Sequence, residues 1–374
     1  MKRISILLLI LFTFLASAAW PQAQSQRKHK FITFNAPHAG KGPGQGTTTG
    51  GIGAGGAILG SYVDAGSVSH GFLRTPDGTI TEFDAPDAGG GPGQGTVALG
   101  MNTALAIVGY YVDASNALHG FLRSRHGEFT KVDAPGAGNG SGQGTVPGDI
   151  NPAGTIAGVY DDEGGQGHGF LRARDGTFTE FDVPGEGPGD NTWFGSFYGL
   201  TPAGAFVGPY LDANGVLHGW LRVADGTITE FDAPDAGGGS GQGTLPFCIN
   251  GGGAIAGYYV DAGNVSHGFL RAEDGTITEF DAPGAGGAGT GTAVWSVNPR
   301  GEIAGQYTDA NNVTHGFQRS PQGKFTEFDA PGAGKGSGQG TQVAGNNPEG
   351  AVTGWAVDKN NVAHGFLRLA DDER

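Results

Sequence analysis

Along nearly the whole chain, apolar and polar positions alternate in short runs cut by turn-forming residues. Residues 96–135 are typical: TVALGMNTALAIVGYYVDASNALHGFLRSRHGEFTKVDAP. Four candidate strands stand out, TVALGMN, AIVGYYVD, LHGFLR and EFTKVDAP, separated by an Asn-led turn, an Asp followed by small residues, and His-Gly. Short β-branched and aromatic runs between such turns are the hairpin signature. No segment of the mature chain keeps a helical period, so the pattern predicts an all-β protein.

The pattern repeats. The histidines of the His-Gly-Phe or His-Gly-Trp phrase stand at 70, 119, 168, 218, 267, 315 and 364. Seven units of about fifty residues with four antiparallel strands each fit the blades of a β-propeller, whereas β-helix coils are much shorter. Within HGFLR the Phe and the Leu point to opposite faces, so both faces of each sheet need cover, and neighbouring blades would supply it. The last unit ends HGFLRLADDER, without the TEFDAP that follows elsewhere, while residues 30–37, KFITFNAP, are a fourth strand lacking the other three. The two fragments sum to one blade. The expectation is a single seven-bladed propeller over residues 30–368, its last blade closed by the N-terminal strand, which would also hide both sheet edges.

The succession of IAGYY, a short turn, HGFLR and a glycine-rich DAPGAG resembles the bacterial HAF family of extracellular repeat proteins across residues 30–368. One departure is constant: the family's His-Ala-Phe is His-Gly-Phe here, or His-Gly-Trp at Trp220. The resemblance implies export and a propeller-like fold, and it brings no catalytic residues with it.

Residues 1–18 read as a secretory signal peptide, with Lys2 and Arg3, an apolar run from Ile4 to Leu15, and Ala16-Ser17-Ala18 as the cleavage site. The run is short for a membrane span and no second one follows, so a secreted protein, periplasmic or extracellular, is expected. A net charge of -15 argues against nucleic acid as a partner. Cys248 is the only cysteine, so no intramolecular disulfide is possible. A monomer without cofactor is expected.

An aspartate precedes every repeat histidine by six residues: Asp64 and His70, Asp113 and His119, Asp162 and His168, Asp212 and His218, Asp261 and His267, Asp309 and His315, Asp358 and His364. Asp and His could serve catalysis or a metal. A pair copied into every unit is more naturally a structural cross-strand hydrogen bond. The arginine closing each HGFLR is expected to pair with the next strand's glutamate, as at Glu82 or Glu180. The GQGT loops lack the lysine and the helix of a phosphate loop, and read as turns. The sequences DANGV, DANNV and DKNNV begin like calcium loops but lack the later acidic ligands, so no metal site is expected.

A unique site is best sought where the sevenfold pattern breaks. Trp193, Phe194 and Tyr198, with Phe247 and Trp295 at corresponding points of the next two units, form an arc of aromatics expected to bind ligand by stacking. The first strands, which would line the channel, carry Asp149 as their only carboxylate. The sequence thus predicts a binding or scaffold module for an extracellular or cell-envelope ligand, polysaccharide being the expected class. The alternative is a carbohydrate-active hydrolase or lyase using Asp and His on the loop-rich face.

Overall fold

The computed structural model describes residues 30–185 and 199–370. They form 27 strands and no helix. Trp193, Phe194 and Tyr198 lie outside the described residues. Each unit is a meander; in the second, Gly95–Met101, Ile107–Val112, Leu118–Arg123 and Phe129–Lys131 pair in order, each antiparallel to the one before. Neighbouring units are joined by a single parallel bridge, Ser69 to Gly95 or Leu118 to Gly144.

The two chain ends meet in the same way. Phe31–Phe34 runs antiparallel to Ala363–Arg368, with Phe31 opposite Arg368 and Phe34 opposite Gly365. Gly46 bridges Ala363 as Gly95 bridges Ser69. The N-terminal strand stands where other units have their own fourth strand.

The core is a series of layers between units rather than one central mass. Leu59, Leu73 and Phe83 of the first unit pack with Ala98, Ile107 and Phe121 of the second, and later units repeat the arrangement. The aromatic residue of each HGF or HGW phrase is essentially inaccessible, from Phe72 to Phe366, with Trp220 also fully buried. Its indole N–H donates to the Pro209 carbonyl at 3.3 Å, which makes the larger ring tolerable there. Truncating one of these rings would cost about 3–5 kcal/mol.

Close approach explains the glycine inside that phrase. A Cβ on Gly71 would run into the Phe83 ring of the neighbouring strand, and the same holds for Gly169 with Phe181 and Gly316 with Phe328. A second obligatory glycine opens each first strand. Gly95 has φ of 110°, and a side chain there would collide with the Ser69 carbonyl of the preceding unit. The threonine after it is completely buried and accepts an N–H from the end of the preceding fourth strand, as Thr96 Oγ1 does from Ala85 at 2.9 Å. Six threonines make this contact, at 2.9–3.0 Å.

Deleting residues 30–37 strips the edge of Ala363–Arg368 and uncovers the Phe366 layer. The shortened protein is expected to melt at a markedly lower temperature and to aggregate on size-exclusion chromatography. A monomeric variant with an unchanged melting curve would show that this edge needs no cover.

Candidate binding face

The turn between second and third strands opens with the aspartate of the predicted pair. Asp64 Oδ1 accepts the N–H groups of Gly66 and Val68, both at 2.8 Å, which closes the turn. Its other oxygen faces His70 Nε2 at 3.6 Å. The sequence-predicted pairs meet in all seven units, at 3.4–4.0 Å.

A closer partner was not anticipated. The histidine's Nδ1 meets the aspartate fourteen residues later, at the end of the fourth strand, at 2.6–2.9 Å for Asp84, Asp133, Asp182, Asp232, Asp281 and Asp329. In the seventh unit Asn35, from the N-terminal strand, takes this place at 2.9 Å. The signal was available: an FDAP-type aspartate recurs at constant distance after each histidine. In six units the ring also packs on a second-strand tyrosine, Tyr62 on His70 with centroids 4.8 Å apart, through to Tyr307 on His315 at 5.0 Å. The seventh unit has Ala356 opposite its histidine.

These contacts set the charge state. The Val68 N–H and, less strongly, Gly66 and His70 hold Asp64 below the usual carboxylate range against a burial penalty. Burial disfavours the protonated ring of His168, but Asp182 and Asp162 outweigh it and raise its pKa. Burial, with the nearby acids Asp133, Asp87 and Asp113, pushes the Tyr111 hydroxyl up to about 12.

The arginines do not follow the predicted pairing. Arg74 lies over the Phe34 ring at 4.9 Å, Arg123 over Phe83 at 4.6 Å and Arg222 over Phe181 at 5.0 Å. Each of these guanidinium groups reaches a fourth-strand phenylalanine of the neighbouring sheet and pins two units by a cation–π contact, whereas Arg172, with Val132 at that place in the neighbouring sheet, lies over Phe178 of its own unit at 5.9 Å. Glu82 instead takes His38, at 2.5 Å from its Nδ1 and 3.1 Å from its backbone N–H. The stem of the arginine spans the apolar layer, so the glutamate lies off its path.

Of the aromatic arc, Phe247 and Trp295 are described. Both are the extra, unpaired residue of a β-bulge in a first strand, the position held by Gly50, Leu99, Gly148 and Ala344 in other units. Phe247 is buried, stacked on Tyr258 at 5.4 Å and edge-on to Trp295 at 4.7 Å, so it offers a ligand no face. Burial among these rings pushes the Tyr258 hydroxyl up to about 12. Trp295 is half-buried, and its indole N–H has no hydrogen-bond partner.

Where first strands of five units converge, a cavity of about 160 Å³ is lined by Leu59, Leu99, Met101, Ser296, Asn346 and Asp149. Desolvation pushes Asp149 up to about 6, although Leu200 and Ile150 donate backbone N–H groups to it at 2.9 and 2.8 Å. Cys248, next to the bulge residue Phe247, is buried, its thiol pushed up to about 12 by burial, and is inert.

No protein-family model and no curated protein matches the chain. Among solved structures, the BP39L lectin of Burkholderia pseudomallei aligns with a TM-score of 0.55 at 10% identity, over 86% of this chain and 94% of that one. The chain is propeller-like. AofleA of Arthrobotrys oligospora aligns at 0.44, with 13% identity over 80% and 86% of the two chains. A puromycin hydrolase aligns at 0.47 with 12% identity, over 87% of this chain and 52% of that chain. At such identities a likeness concerns fold alone.

Two checks follow from the Asp–His–Asp stations. His119→Ala leaves Asp113 and Asp133 without their shared partner and should cost about 1–3 kcal/mol in chemical denaturation. Lowered aspartates stabilise the fold above their unfolded pKa and lose that contribution as pH falls through the folded value. The raised His168 contributes fully below its unfolded pKa and loses it as pH rises through the folded value, and Asp149, raised, favours the protonated side as well. The melting temperature should therefore peak between about pH 4 and pH 6.5 and fall on both sides. A maximum above pH 8 would mean that the stations do not govern stability.

Proposed function

We propose that this chain is an exported seven-bladed β-propeller of the HAF type, closed by its N-terminal strand, that binds an extracellular or cell-envelope glycan. The pairing of Phe31–Phe34 with Ala363–Arg368 supports closure, and the seven His-Gly-aromatic repeats support the blade count.

The observation that carries the binding reading is the repetition of one station on one face. Six of the seven place a His–Tyr stack beside carboxylates, and the side chains of Asp84, Asp281 and Asp329 are more than half exposed. Sugar hydroxyls donate and carboxylates accept, while the buried tyrosine beneath each of these histidines holds its ring in place. One such station is a weak site. A polymer with a repeating sugar would engage several and gain affinity by effective concentration. Charge selects further, because an acidic face on a chain of net charge -15 favours a neutral glycan over a polyanion. BP39L, whose fold the chain shares, is named a lectin. A hydrolase or lyase that used the repeat histidine as its acid or base would need a free imidazole, whereas both nitrogens of each already face acceptors.

The test compares neutral polysaccharides with their constituent monosaccharides by glycan array and isothermal titration. The polymer should bind at least about a hundredfold tighter than its unit. Asp281→Asn and Asp329→Asn, which copy the Asn35 arrangement of the seventh unit and keep an acceptor for the histidine, should weaken polymer binding stepwise with little change in melting. Failure to retain any neutral glycan, or equal affinity for unit and polymer, would refute the proposal.

A further inference from the structure

The face of tight turns, opposite the stations, carries a second kind of feature. A cavity of about 280 Å³ lies between the sixth and seventh units, lined by Arg300, Glu302, Gln318, Arg319, Lys324 and Glu349 among others. An equivalent cleft of about 190 Å³ lies between the second and third units, and there the matching positions are Ala104, Ala106 and Leu122. The fold makes the cleft in both places. The second is lined by Arg172 and Arg174 as well, so what sets the first apart is its acids and the Arg300, Glu302 and Gln318 that replace small or apolar residues.

The departures from the repeat are specific. At the position of Arg300 the other units have Gly or Ala, apart from Glu349 itself; at Glu302, Ala or Thr; at Gln318, Leu in all six. Lys324 stands where four units have Thr, one has Glu128 and the seventh has Lys30. These substitutions lie on separate strands and turns of two units, yet all line one cavity. Packing alone gives no reason for them to converge.

Part of the lining is fixed. Glu302 accepts from Asn298 Nδ2 at 2.7 Å, and Gln318 donates to the Gly350 carbonyl at 3.0 Å. The cations are not neutralised: among the described residues, no ion pair joins Arg300, Arg319 or Lys324 to an acid, and Arg319 Nε, like that of Arg74, Arg123 and Arg222 in other units, is a buried donor without a partner. The Arg319 guanidinium is stacked 4.4 Å over Phe280, which fixes its plane and leaves its edge to other groups. A planar fork held in this way matches a carboxylate, and Arg300 and Lys324 add positive charge around it. The remaining acceptor, Glu349, suits hydroxyl donors. The volume lies just under the range of drug-sized sites and admits one small ring.

We infer that this cavity is a site for a single carboxylated sugar of the hexuronate class, separate from the neutral-glycan face. The probes are glucuronate, galacturonate and glucose, titrated into the full-length mature protein and followed by saturation-transfer NMR and calorimetry. A hexuronate should bind in preference to glucose, and more weakly as salt is raised. Arg300→Ala with Lys324→Thr, both residues found at the matching positions of other units, should weaken hexuronate binding at least tenfold while the melting curve stays in place. Asp281→Asn with Asp329→Asn should leave hexuronate binding unchanged, so this site can fail or succeed independently of the neutral-glycan face. Equal affinity for hexuronate and glucose, no binding of either, or undiminished binding in the Arg300/Lys324 variant would overturn the assignment.

Discussion

Every unit of this protein is a small sheet with apolar side chains on both faces, and that one fact constrains the rest. Ile107 and Val108, adjacent on one strand and pointing opposite ways, are both fully buried. A four-stranded sheet of this kind cannot stand alone in water, because whichever face it hides, the other remains exposed. The units must stack side by side, and the contacts that fix the stacking are those with the least tolerance. They are the glycine opening each first strand against the neighbouring backbone, the buried threonine behind it, and the arginine laid across the preceding sheet's phenylalanine.

Polar chemistry is thereby pushed to the two ends of the strands. At the loop-rich end the same histidine is clamped between two acceptors in unit after unit, with a tyrosine beneath it in six of them. The clamp ties the second-to-third turn to the end of the fourth strand, so it links the outer three strands of the meander. At the tight-turn end, asparagines reach from one unit to the next: Asn102 donates to the Asn151 carbonyl at 3.2 Å, and Asn298 to that of Asn347 at 3.0 Å. Gly53 and Thr201 interrupt this belt.

Much of this was legible in the sequence, because repetition turns weak local signals into strong ones. Strand boundaries, the complementarity of residues 30–37 with the last unit, and the meeting of Asp64 with His70 all follow from period and turn chemistry. What escaped was contact set by sheet register rather than by sequence distance. The Asp84 carboxylate reaches His70 because third and fourth strands pair antiparallel with Gly71 opposite Phe83, a register the spacing alone does not disclose. The arginine misled for a related reason: its length and charge suggested Glu82, but burial of its stem between sheets favours a ring over a carboxylate. Phe247 and Trp295 were found by asymmetry. The asymmetry did not say that one would be core, since a bulge turns its extra residue out of the alternation on which facing arguments rest.

That bulge separates two tasks usually entangled in a β-strand. The residues before and after it keep their ladder partners, Pro246 opposite Gly257 and Cys248 opposite Ala256, whatever occupies the position between. Glycine, leucine, alanine, phenylalanine and tryptophan all stand there in one chain without disturbing the pairing on either side. The interior is therefore adjustable in single steps, one residue per unit, with the backbone as an indifferent frame. A lineage carrying such a frame can narrow, widen or grease the cavity that its first strands line by point changes, and need never renegotiate the sheet.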